Sequence, residues 1–344
     1  MHHFRTPRIL AATAIAVSLG FAMPAADARA QGAQNFVLAT ASTGGTYYPV
    51  GVALATLVKV KLQPKHKINM SAISSAGSGE NIKLLRTNEA QFAILQGLYG
   101  AYAATGTGPL AKDGPQKALR SVTMLWANVE HFVVKKDFVK SGNMSDIAGL
   151  KGRSASLGAR NSGTLGSNKT ILGNLGYDID KGFKLIYAGY GPSVDAMRNG
   201  QADLISTPAG APVAAITTAF ATMGGDGVRV LDFTADQVKK ANGKFDDLWV
   251  PYNIKAGTYP GQKQDINTIA QPNFLAVRDD LPSQTIYMIT KTVYENLPFL
   301  QSIHPATKAM SIEAAIAGLP LPLHPGAVKY YEEVGVKIPA RLKR

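Results

Sequence analysis

The sequence predicts an α/β protein of two domains, each a parallel sheet with helices on both faces. Three observations carry this. From Phe36 onward, short apolar strands alternate with helical segments along the chain, and such alternation builds parallel sheets covered by helices. At 344 residues the chain suits two domains better than one. Three turns rich in glycine and hydroxyl groups, 42–46, 74–80 and 158–166, each lie between a strand and a helix. In sheets of this kind ligands sit beyond the carboxyl ends of the strands, so the turns point to a cleft.

The elements follow in order. Residues 36–41 form an apolar strand that stops at Ser42, Thr43, Gly44, Gly45 and Thr46. After Tyr47 and Tyr48 a helix begins near Pro49, with Val50, Leu54, Leu57 and Val58 at helical spacing and Pro64 just beyond its end. Residues 68–73 alternate as a strand, the second turn follows, and 81–87 read as a helix through Ile82, Leu84 and Leu85. Residues 92–95 are a buried-type strand ended by Gln96, and 99–104 are a short helix. Strands at 121–126 and 131–134 lead towards a second domain, where 147–151 resemble a helix and 154–157 a strand before the third turn. Its helix, 168–175, stops at Gly176 as a glycine cap would stop it. Strands at 184–187, 202–206 and 228–233 alternate with helices at 193–199 and 213–221. The signal weakens over 234–264. Residues 268–278 read as a strand returning across a hinge, and helices are expected at 283–296, 305–316 and 328–334.

The first thirty residues have the pattern of a secretory signal. Arg5 and Arg8 precede an apolar run over 9–23, and Ala28-Arg29-Ala30 fits a small-x-small cleavage site. An uncleaved anchor is the competing reading, although the run is short for a membrane span. The domain organisation expected is a signal peptide at 1–30, a first lobe from 31–127 with 266–344, and a second lobe at 128–265. The exported chain would lie in the periplasm. Cysteine is absent, so neither disulfides nor thiol chemistry contributes.

The net charge is +13. The basic residues are scattered without interleaved aromatics, which argues against nucleic acid and leaves small anions, a membrane surface or a functionless excess. Catalytic constellations are hard to find. No HExxH, GxSxG or P-loop ending is present, so no catalytic residue, metal or cofactor is expected. A single small-residue turn is commonly just a tight connection with a hydroxyl cap. Three of them in an exported chain argue for a binding cleft. Their hydroxyls and first-turn N–H groups suit a carboxylate. Tyr47, Tyr48, Tyr99, Tyr102, Trp126 and Tyr190 are wall candidates that could equally be core. Arg160 either pairs a carboxylate bidentately or is a solvated surface arginine.

The segments STGGTYYPVG, SSAGSGENIKLL, SLGARNSGT, NGQADL…GAP and LPLHPGAVKYYEEVG occur in this order. Together they resemble the TAXI solute receptors of tripartite ATP-independent periplasmic (TRAP) transporters. The resemblance implies a type II periplasmic-binding-protein fold: two α/β lobes joined by hinge crossings, with a ligand cleft between them. It implies a receptor, not an enzyme, that captures a small anionic solute and delivers it to a membrane permease. Thr43, Gly44, Gly45, Thr46 and Tyr47 resemble the family's first ligand loop. Ser75, Gly77, Ser78 and Asn81 resemble its second, and Ser162, Gly163 and Thr164 the loop of the other lobe. Gln96 is followed by Gly97 and Leu98 where relatives commonly read Ser-Asp. A carboxylate partner for an ammonium group is then missing, so a dicarboxylate or keto acid is expected ahead of glutamate. Trp126, where relatives often carry a smaller aromatic, would reshape the pocket. The expected receptor is a monomer. A sensory receptor on the same fold is the alternative, and an exported hydrolase using Ser78 or Ser162 finds no support in the spacing.

Overall fold

The alternating pattern at 34–39 becomes a strand because Phe36, Leu38 and Ala39 bury themselves in a sheet, while the next small residues cannot continue it. The computed structural model describes residues 1–3 and 32–343. The expected signal peptide and its cleavage site near Ala30 therefore lie outside the described residues.

The first sheet begins with three βα steps. These are β1 (Gln34–Ala39), α1 (Tyr47–His66), β2 (Ile68–Ile73), α2 (Ser78–Arg86), β3 (Phe92–Gln96) and α3 (Gly97–Thr105). In α1 the buried stripe is Val50, Leu54, Leu57, Val58 and Leu62. The helix runs past the expected stop at Pro64, which sits in its last turn, and ends with Lys67 in the left-handed region. Next come β4 (Leu119–Val129) and β5 (Phe132–Lys135), where the chain enters the second sheet with only Glu130 and His131 between strands.

The second sheet is built from β5, β6 (Ser154–Ser156), α4 (Gly163–Asn174), α5 (Ile179–Gly182), β7 (Lys184–Leu185), α6 (Tyr190–Arg198), β8 (Leu204–Ser206), α7 (Ala214–Met223) and β9 (Val228–Val230). Then α8 (Ala235–Asn242), β10 (Val250–Ile254) and β11 (Ile266–Arg278) lead back, and α9 (Ser283–Glu295), α10 (Leu297–Ile303) and α11 (Pro325–Glu333) close the chain. Helices α9 and α10 pack on α1, and α11 on α9.

The strand order is β10-β11-β3-β1-β2 in the first sheet, with β4 also on β11, and β7-β6-β8-β5-β9 in the second. Both sheets are mixed, whereas the sequence predicts parallel ones. β1, β2 and β3 are parallel, as are β6, β7 and β8. β11 and β5 run antiparallel to their neighbours. β5 arrives directly from β4 of the other sheet and β11 through the loop after its antiparallel neighbour β10, neither through a helical crossover, so nothing constrains them to be parallel.

The outward crossing is at Glu130–His131. The return lies beside it, where Leu231 N–H donates to the Phe132 carbonyl at 2.8 Å and Phe233 N–H to the Asn267 carbonyl at 2.7 Å. β10 hydrogen-bonds to β11 in the first sheet, although it falls within the range 128–265 expected for the second lobe.

Two local expectations change. The segment 305–316 is a short 3-10 helix, Pro305–Ala309, followed by turns. Its Ala315 carbonyl accepts from Met124 N–H at 2.7 Å, so a strand edge takes the group that helix continuation requires. Helix α8 lies in the weak stretch. Thr234 and Gln237 form a capping box at its start, a signal present in the sequence.

Candidate functional site

Strand ends and helix starts meet where the two sheets face each other. Ala41 and Ser42 follow β1, Ser75–Ser78 follow β2, and Gln96 and Asn128 sit at the ends of β3 and β4. Across from them stand Ser162–Thr164, Gly189, Tyr190 and Pro208. Together they enclose a cavity of about 200 Å³, and among the described residues no Lys, Arg, Asp or Glu lines it.

The lining includes the first residues of four helices: Tyr47 of α1, Ser78 of α2, Gly163 and Thr164 of α4, and Tyr190 of α6. The first-turn N–H groups of a helix have no intrahelical partner and carry partial positive charge. The N-cap residues of α1, α2 and α6 make no side-chain cap hydrogen bond. In α4 the Ser162 hydroxyl accepts from Leu165 N–H at 2.9 Å and leaves earlier donors free of it. Four helix N-termini therefore line the cavity. Tyr190 N–H already donates to Ser42 Oγ at 3.2 Å, and the Glu80 carboxylate in the first turn of α2 accepts from Ala76 N–H at 2.6 Å. The remaining first-turn donors suit an anion.

Hydrogen bonds join the two halves around the cavity. Gln96 Nε2 donates to the Gly163 carbonyl at 2.9 Å and to Ser167 Oγ at 2.8 Å. Thr46 Oγ1 donates to the Gly210 carbonyl at 2.8 Å. Tyr99 hydroxyl donates to the Ser162 carbonyl at 3.2 Å, and Ala215 N–H donates to the Gly44 carbonyl at 3.2 Å. Tyr190 covers Gly45 so closely that a methyl there would lie 3.0 Å from the ring.

Of the residues singled out in the sequence, Gly45, Thr46, Tyr47, Ser75, Ser78, Gln96, Ser162, Gly163 and Thr164 line the cavity. Gly44 stands at the seam. Asn81 is fully buried beneath the second turn, donating to the Thr40 and Ile94 carbonyls at 2.7 and 2.9 Å and accepting from Ser75 Oγ at 2.6 Å. Trp126 is buried behind Tyr47, edge to face at 6.0 Å. Thr43 is exposed, and Arg160 is exposed with its guanidinium 3.8 Å from the Tyr187 ring centre. Asn128 carries no turn signal and was missed, because an asparagine near the end of a strand becomes a wall residue only through sheet pairing.

Below the cavity lies a buried polar layer. Glu130 is fully buried, and burial pushes its carboxyl up to about 8 despite donors from Trp249 and Gln271 at 3.1 and 3.5 Å. His131 is pushed down to about 4 by burial. Its Nδ1 faces the Val129 carbonyl at 2.8 Å, so Nδ1 carries the proton and Nε2 accepts from the Tyr259 hydroxyl at 2.7 Å. That histidine is a structural strut. Among the described residues neither Ser78 nor Ser162 has a histidine partner, and no cluster of metal-binding side chains is found.

Two mixed α/β halves that enclose a cleft at their strand ends define the type II periplasmic-binding-protein fold. Solved structures share it. MatC from Rhodopseudomonas palustris, solved with bound malate, superposes with a TM-score of 0.52 at 14% identity, covering 88% of this chain and 99% of that one. The periplasmic binding protein BugD gives 0.52 at 14% identity, over 88% of this chain and 93% of its own. The chain belongs to the NMT1-like family, whose model matches residues 38–335. At 14% identity the likeness to MatC and BugD is one of fold.

Proposed function

We propose that this protein is an extracytoplasmic receptor that captures a small organic anion in the cleft and hands it to a TRAP-type membrane transporter. The observation that carries the reading is the convergence of the α1, α2, α4 and α6 N-termini on a cavity without charged side chains. Residues 1–30 act as the export signal, and the receptor works as a monomer in the periplasm. The lobes are 31–127 with 266–344 and 128–265, hinged where the chain crosses between sheets. The anion docks first on the α1 and α2 turns, and the Ser162–Thr164 turn completes its shell as the lobes close. Greater affinity for the closed state supplies the driving force.

Ligand-stripped protein titrated calorimetrically with C4-dicarboxylates, 2-oxoglutarate and glutamate tests the reading. The bound malate of MatC makes C4 acids the first probes. Carboxylates are expected to bind and their amides to fail. Binding of the amides as tightly as the acids would overturn it. Delivery is tested with a TRAP permease in proteoliposomes, where uptake should follow an ion gradient and need no ATP.

A further inference from the structure

Asn128 is 2% exposed, lines the cavity, and its Oδ1 has no hydrogen-bond partner. Its orientation follows from groups whose polarity cannot change. The Gly163 carbonyl only accepts, so the Gln96 amide must point Nε2 towards it, at 2.9 Å. The Gln96 Oε1 then faces Asn128, whose Nδ2 donates to it at 3.4 Å. Behind them Leu98 N–H donates to Gln271 Oε1 at 2.8 Å, which turns Gln271 Nε2 onto Ser167 Oγ at 3.0 Å. Ser167 Oγ therefore receives from both glutamines, and neither amide can flip without setting two like groups together. Asn128 Oδ1 is left as an unpartnered acceptor of fixed polarity, buried on a residue of the cavity wall. A buried acceptor without a donor is costly, so a complementary ligand brings one.

From this chain of amides we infer that the cleft is built for a carboxylate bearing a neighbouring uncharged hydrogen-bond donor, a hydroxy acid, with Asn128 as the residue that selects it. The inference rests on the receptor reading above and sharpens it. The carboxylate takes the helix N-termini and the hydroxyl donates to Asn128 Oδ1. A keto acid would set its carbonyl oxygen against Oδ1, acceptor against acceptor. An amino acid would bring an ammonium group with three donors and a full charge into a wall that offers no carboxylate. This order of preference differs from the one expected from the sequence, where the keto acid and the plain dicarboxylate stand first. Gly163 lies across the cleft from Gln96, so the acceptor is oriented only when the halves are together.

The test is a matched calorimetric panel on ligand-stripped full-length mature protein: malate, succinate, oxaloacetate and aspartate, with lactate, propionate, pyruvate and alanine as the shorter set. The hydroxy acid of the better-binding set should exceed its deoxy and keto partners by on the order of tenfold. Asn128→Leu should collapse that ratio to within about twofold, because it removes the acceptor. Asn128→Asp, which keeps an acceptor but adds charge, should weaken every acid. If acids bind and the hydroxy member is not preferred by the native protein, the inference falls while the receptor reading stands. If Asn128→Leu folds and keeps the native preference, the residue assignment falls. If no acid binds, both readings fall together. The native panel decides the ligand class even where a variant does not fold.

Discussion

The backbone N–H of Glu80 donates to the carbonyl of Asn161 at 3.0 Å, tying the first turn of α2 on one sheet to the loop before α4 on the other. Gly79, immediately before it, lies so close to that same carbonyl that an added methyl would collide with it. Within the helix, alanine is favoured over glycine by up to about 1 kcal/mol. Gly79→Ala should therefore leave the first-sheet half at least as stable and oppose contact between the halves. Ligand affinity is expected to fall by about tenfold or more, roughly 1.4 kcal/mol. Calorimetry with small-angle scattering checks this, and a variant that binds and compacts like the native protein would show that the seam is not a closure contact.

Ser162 and Thr164 serve the cleft in different ways. The Ser162 hydroxyl caps α4, so its loss should cost about 1 kcal/mol of stability, read as a lower denaturant midpoint. Thr164 Oγ1 pairs with the Tyr190 hydroxyl at 2.9 Å, and both residues line the cavity. Ser162→Ala with Thr164→Ala is expected to weaken anion binding and leave both halves folded. Undiminished affinity would remove the second sheet's half from the site.

Tyr190 hydroxyl donates to the Pro208 carbonyl at 2.6 Å in the cavity wall. Tyr190→Phe leaves that carbonyl without its donor, at a cost of about 1–3 kcal/mol. A drop in melting temperature of the ligand-free protein, larger than the drop for Tyr48→Phe on the half-buried neighbour of the first turn, is the expected result.

The pair Glu130 and His131 sets a pH dependence. Glu130 titrates at about 8 in the folded chain against 4.5 ordinarily. Its stabilising contribution is full below the ordinary value and is lost as pH rises to about 8. His131 behaves oppositely: its contribution is present above 6.5 and is lost as pH falls towards about 4. The two slopes oppose each other at mildly acidic pH, and Glu130 alone acts from neutrality upward. Unfolding free energy from urea titrations should fall between neutral pH and about 8, by at most about 1.4 kcal/mol per pH unit. Glu130→Gln should remove that slope. Parallel pH profiles for the two proteins would show that the carboxyl titrates normally.

Much of this architecture was legible in order along the chain. Alternation of strand and helix marks most elements, and each small-residue turn falls at a strand end because only such residues allow the tight bend and close approach required there. The amphipathic pattern of α1 and the capping box of α8 are local signals, although the second was overlooked in a weakly patterned stretch. What stayed hidden is pairwise. Arg160 and Ser162 sit two residues apart in one turn, yet one stacks on Tyr187 at the surface and the other lines the cavity. Trp126 and Asn128 stand two residues apart on one strand, where strand periodicity gives them the same face, yet one packs behind the wall and the other forms it.

Local chemistry alone determined that this chain makes α/β units whose turns offer hydroxyls and backbone N–H groups. Tertiary structure decided which of those groups share a cavity, that β11 and β5 run against their neighbours, and that the oxygen of Asn128, not its amino group, is left unpaired. The reason is that helix starts and turns are set by contacts within a few residues. The polarity of a buried amide is instead set by partners such as Gly163, brought beside Gln96 from 67 positions away.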